Sequence, residues 1–175
     1  MRRWALVVLI LAGVVLGVFV ATRRVRPQRP PGSYTGNGVV RIPQARVSGN
    51  EVDLESKSAR ITQKGDPIAS ALDVLLQAKP GPQQPRIFPE GVRVLGVRVQ
   101  DGVATINMSE EFNRLKEMGD TPESLAQRAL IQTLAQFPQV RSMLVLVNGK
   151  PFQSEHSDWT EPIPVRTEST AGAPQ

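Results

Sequence analysis

The chain has 175 residues with 21 Lys plus Arg, 16 Asp plus Glu, one His and no Cys. Six of the 21 basic residues (Arg2, Arg3, Arg23, Arg24, Arg26 and Arg29) lie in residues 1–29, which hold no acid, so 15 basic groups face 16 acidic ones over the rest. A near-neutral body excludes the many phosphate contacts of a nucleic-acid-binding face, and the absence of Cys excludes thiolate catalysis, Cys-based zinc sites, disulfides and a lipidated cysteine.

The first element is the run WALVVLILAGVVLGVFVA, Trp4 to Ala21, eighteen residues without a charge. As a helix it spans roughly 27 Å at ~1.5 Å per residue, enough to cross a bilayer. A cleaved secretory signal shares the basic start and apolar middle. Phe19-Val20-Ala21-Thr22 offers no small-x-small cleavage site, and the run exceeds a usual signal core, so residues 1–22 read as a transmembrane anchor. Arg counting alone favours a cytoplasmic domain, whereas the short N-terminus, easily left behind when a long domain is exported, favours the outside. The expectation is a single-pass membrane protein with its domain extracytoplasmic.

Residues 23–38 (RRVRPQRPPGSYTGNG) carry too much Pro and Gly for a helix and too little apolar content for a core, and read as a tether. Residues 162–175 read as a disordered tail. The domain is expected over residues 39–161, with weak strands at Val39–Pro43 and Val52–Ile61, the second interrupted by Ser56, Lys57 and Ser58. A helix then starts with Asp66 as cap and Pro67 at its first position, and Ile68, Ala71, Leu72, Leu75 and Leu76 form one apolar stripe before Lys79-Pro80-Gly81-Pro82 stops it.

In VLGVRVQDGVATINM a two-residue Asp101-Gly102 turn sets Val99 against Ala104, Val97 against Ile106 and Leu95 against Met108, while Arg98 and Thr105 share the opposite face. A second helix is expected from Thr121 as cap and Pro122, with Ala126, Leu130, Thr133, Leu134 and Phe137 facing inward until Pro138. Ser142–Val147 (SMLVLV) reads as a strand covered on both faces or lying centrally. Asn148-Gly149 is a turn, and Lys150-Pro151-Phe152 a returning edge. The expected fold is α+β: a small sheet with two helices packed on one face, preceded by one N-terminal transmembrane helix.

In that order, DPIASALDVLL, FPEGVRVLGVRVQDGVATINMSEEF, ESLAQRALIQTLAQFPQV and RSMLVLVNGK together resemble the GerMN domain of sporulation and spore-germination proteins. The resemblance covers about residues 66–155 well and the preceding strands loosely. It implies a membrane- or lipid-anchored protein outside the cytoplasm, similar in fold to the small ring-building modules of secretion and sporulation channels. It implies no catalytic residue. A single copy and the absence of a lipoprotein Cys depart from the founding spore protein. Because such domains also occur beside amidase modules, the alternative is an accessory component of a peptidoglycan hydrolase system, although no amidase module or set of zinc ligands is present.

Other constellations have plain structural readings. His156-Ser157-Asp158 contains the letters of a triad, but adjacent side chains of an extended segment point apart. Glu110 and Glu111 beside Ser109 read as a solvated cap where a strand leaves the sheet. Asp53, Asp66, Asp73 and Asp101 match no calcium loop. Met108 and Met143 read as core and Met118 as loop, so no Met-rich groove forms. Trp159, in HSDWTEP, either packs back over the sheet edge or projects as a contact residue; if it projects, Phe152 and Trp159 are the candidate partner contacts. No catalytic, metal or cofactor site, no nucleic acid and no small-molecule substrate is expected. The partners expected are the membrane and other envelope proteins or further copies of the chain.

Overall fold

The computed structural model describes residues 34–165 except residues 50, 63 and 83. The expected anchor at Trp4–Ala21 and the first part of the tether lie outside these residues. Among the described residues no helix is long and apolar enough to cross a membrane.

Strands β1 (Val39–Ser48) and β2 (Glu51–Arg60) pair antiparallel in unbroken register from Val39↔Arg60 to Ser48↔Glu51. Ser56, Lys57 and Ser58 do not interrupt β2 as expected: they lie on a largely solvated strand where polar side chains cost nothing. Val40, Ile42 and Ala45 of β1 turn into the core.

Helix α1 (Pro67–Gln77) begins as expected: the Asp66 carboxylate accepts the Ile68 N–H at 2.9 Å, Pro67 occupies the first turn, and Ile68, Ala71, Leu72 and Leu75 are buried. Strands β3 (Val94–Gln100) and β4 (Val103–Met108) form the expected hairpin. Both turn residues have positive φ, 51° at Asp101 and 82° at Gly102, the signature of the mirror-image turn that matches strand twist. Val99↔Ala104, Val97↔Ile106 and Arg98↔Thr105 pair as expected. The last expected pair does not form. A register shift between Val94 and Gly96 puts Val94 opposite Met108 and leaves Leu95 51% exposed.

After β4 the chain forms a 3-10 helix, Glu110–Glu117, and then α2, Asp120–Leu134. Helix α2 starts one residue before the expected Thr121 cap: Gly119 holds the cap position at φ 92°, and no side chain caps it. Strand β5 (Ser142–Val147) then lies parallel to β4, from Val103↔Ser142 to Met108↔Val147. A parallel pair requires a crossover, and the two helical segments supply it. Two short strands, β6 (Lys150–Pro151) and β7 (Ile163–Pro164), pair with β5 on its other side. β5 is thus central, as one of its two expected readings had it.

The fold is α+β, with two sheets where one small sheet was expected: the β1-β2 hairpin and a five-stranded sheet in the order β3-β4-β5-β6, with β7 also on β5. One continuous core joins β1, the inward stripes of α1 and α2, and the buried residues of β4 and β5. Its limits exceed those expected. Tyr34, assigned to the tether, stacks at 5.2 Å on Phe137, and Ile163–Val165, assigned to the tail, adds a strand and a buried valine.

Candidate interaction surface

The two aromatic contact candidates are not on the surface. Phe152 and Trp159 are each 1% exposed and meet Phe112 in a cluster of edge-on rings, with centroids 4.9 Å apart for Phe112–Phe152, 5.4 Å for Phe152–Trp159 and 6.1 Å for Phe112–Trp159. The polar letters around Trp159 mask its burial because its polar atom is satisfied inside. The indole Nε1–H donates to Glu123 Oε1 at 2.7 Å, and the Ser154 hydroxyl donates to the other Glu123 oxygen. Glu123, 0% exposed in the first turn of α2, fastens the segment after β6 to the body. An acid at this position is favoured by the helix N-terminus alone, so its place in the first turn does not signal its burial.

A second buried polar residue works at the opposite end of α2. Gln136 accepts the Arg41 N–H at 2.7 Å and donates to the Arg41 carbonyl at 2.7 Å, so its amide pairs with β1 as one residue of a further strand would. Its own carbonyl accepts the Tyr34 N–H. Nothing in the apolar spacing of α2 signals this residue.

The remaining polar groups are structural. His156 Nδ1 lies 2.6 Å from Asp120, while Asp158 accepts the N–H and hydroxyl of Thr160, which hold its carboxyl below the usual range; the three triad letters do not converge. The Ser109 hydroxyl donates to Glu111 and holds that carboxyl low, as a lesser effect do Arg93 and Arg114. Glu110 takes the amides of Asn113 and Asn148. Asp53 is held low by the Leu54 N–H and by Arg128, Asp66 caps α1, Asp101 is in the hairpin turn, and desolvation raises Asp73. Among the described residues no three His, Cys, Asp or Glu stand together to hold a metal ion.

Among the described residues, what the fold offers outward is the face of the five-stranded sheet away from the core, together with its edges. The register places three rows across that face: Gly96, Asn107, Leu146 and Pro151; Arg98, Thr105 and Leu144; Gln100, Val103, Ser142 and Pro164. Arg98 is the single charge in these rows, and the bulge adds exposed Leu95 beside the first of them.

A hairpin, a helical crossover into a parallel central strand and a second small hairpin define a compact α+β module of the GerMN type. The chain belongs to the Germane family, described as sporulation and spore germination, whose family model matches residues 36–153. Three solved structures share the fold. A Clostridium perfringens protein described as a "Putative Lipoprotein" has 20% identity and a TM-score of 0.50, over 72% of this chain and 86% of that one. The tandem GerMN domains of the sporulation protein GerM from Bacillus subtilis have 20% identity and a TM-score of 0.57, over 72% of this chain and 44% of that one. The first of those GerMN domains has 21% identity and a TM-score of 0.51, over 71% and 93%. No curated protein sequence matches significantly. The family is not a known enzyme family.

Proposed function

We propose that this chain is a non-catalytic domain of the cell envelope, held at the membrane by the Trp4–Ala21 segment, which binds or assembles with other envelope proteins. The observation that carries the reading is the Germane match over residues 36–153, joined to an uncharged stretch long enough to span a bilayer. The use of the polar clusters supports it too, because Glu123, Gln136 and Glu110 hold separate segments together, and Glu111 and Asp158 accept from residues of their own turns. A membrane anchor confines the domain to two dimensions, where contacts too weak for solution suffice.

Two measurements test this. Protease added to cells with permeabilised outer layers digests the domain if it is extracytoplasmic, whereas protection until the inner membrane is lysed reverses the topology. Chemical cross-linking of the full chain in its own membrane traps a dominant partner or homo-oligomer, and its failure to trap any adduct refutes the binding role.

A further inference from the structure

We infer that the free edge of β3 takes an extended, acidic segment of another envelope protein as an added strand. This rests on the proposed binding role and gives it a place and a chemistry.

Strand edges present unpaired backbone groups, and most of those here are blocked. Gln136 pairs with β1 at Arg41. Exposed charges line β2, with Glu51, Asp53, Glu55 and Lys57 at four alternating positions. On the far side of the large sheet, β6 and β7 are two residues each and both contain proline, Pro151 and Pro164. β3 is seven residues long without proline or acid. Its first residue lies beside Asp73 of α1, whose carboxyl desolvation raises and the nearby Val94 N–H lowers. Beyond that point nothing among the described residues closes it.

The pairing of the hairpin says which groups are free. Gln100 and Val103 flank a two-residue turn and form a hydrogen-bonded pair; alternation makes Arg98↔Thr105 another. The N–H and C=O of Val97 and Val99 therefore point away from β4. A ladder of this spacing is matched by extended backbone and by no compact ligand.

Charge then chooses among strands. A second copy pairing two-fold with both Val97 and Val99 puts Val97 opposite the partner's Val99, and sets Arg98 directly across from its own equivalent. That position is a non-hydrogen-bonded pair, where side chains come closest and like charges repel. Sliding the register one way runs into the bulge at Leu95 and Gly96, and the other way into the Asp101 turn. A strand with a carboxylate opposite Arg98 meets no such obstacle. Its flanking residues would lie beside half-buried Val97 and Val99 on the core side of the sheet, where apolar side chains fit. The fitting segment reads apolar-acid-apolar.

The test uses the full chain in detergent micelles and two probe peptides, Thr-Val-Glu-Val-Thr and its Lys-centred counterpart, followed by amide NMR. The Glu peptide should shift the Val97 and Val99 amides and bind about fivefold more tightly than the Lys peptide, and Arg98→Glu should reverse that order. Val99→Pro, which removes an outward N–H and no bond to β4, should abolish binding while the chain keeps its folded far-ultraviolet circular dichroism and its β4 and β5 amide shifts. Peptide binding that shifts other residues, ignores central charge or survives Val99→Pro overturns the inference. Concentration-dependent shifts of Val97 and Val99 in the absence of peptide overturn it in favour of a second copy. A partner trapped in the membrane as readily by the Arg98→Glu chain also removes the edge from the account while leaving the binding role intact; absence of any trapped partner removes the binding role itself.

Discussion

Replacing Trp159 by alanine removes the largest buried side chain of the aromatic cluster and the hydrogen bond that joins it to Glu123. Truncating a buried aromatic ring to alanine costs about 3–5 kcal/mol in lost transfer energy and cavity. Leaving one oxygen of the fully buried Glu123 without its donor adds about 1–3 kcal/mol. The sum approaches the whole stability of a domain this size, about 5–15 kcal/mol. Trp159→Phe keeps most of the packing and loses only the N–H, so its loss should be about 1–3 kcal/mol. Adding Glu123→Leu to Trp159→Phe should cost less than the two single changes together, since the second removes the orphaned acceptor. Urea unfolding of residues 34–165, followed by far-ultraviolet circular dichroism, gives all four values. A loss under about 1 kcal/mol for Trp159→Ala would place the ring at the surface and refute its burial.

Gly102→Val should destabilise by about 1–3 kcal/mol, because φ is 82° and the new side chain meets Arg141; equal stability in urea would mean that the turn has another conformation. Ile106→Ala should cost about 2–5 kcal/mol and Thr105→Ala much less, since their side chains lie on opposite faces of β4. Glu111 has a carboxyl held low in the folded state, chiefly by the Ser109 hydroxyl. Its contribution is therefore present above the unfolded carboxyl pKa of about 4.3 and is lost as pH falls through the lower folded value. Melting temperatures of Glu111→Gln should fall less steeply below about pH 4.3 than those of the parent, and parallel curves would show that the Ser109 bond is not maintained in solution.

Patterns governed by apolar periodicity were legible. The stripe Ile68, Ala71, Leu72 and Leu75, the Asp66 cap and the pairing of Val97 with Ile106 follow from spacing and turn chemistry alone. Features decided by tertiary partners were not. Val94 rather than Leu95 faces Met108 because a bulge inserts one residue, and a bulge leaves no mark in apolar alternation. The pairing of β4 with β5 is parallel because the whole crossover, not either strand, fixes direction. Trp159 has polar neighbours in sequence and apolar ones in space, so local context left packing and projection both open, and Glu123, 36 residues away, satisfies it within.

The same distinction bears on the candidate surface. At one end of α2 Glu123 fastens the segment carrying Ser154 and Trp159, and at the other Gln136 fastens β1 and Tyr34. Each is a polar residue spent on closing an irregular segment or a strand edge that apolar packing alone leaves with unpaired groups. Asp73 stands beside the Val94 N–H at the start of β3. Among the described residues these devices stop there: the next outward-facing backbone groups, at Val97 and Val99, flank an exposed arginine and have no such residue. A fold that closes its other edges with glutamine, charge and proline leaves this one competent to pair, which is the physical reason for seeking the partner there.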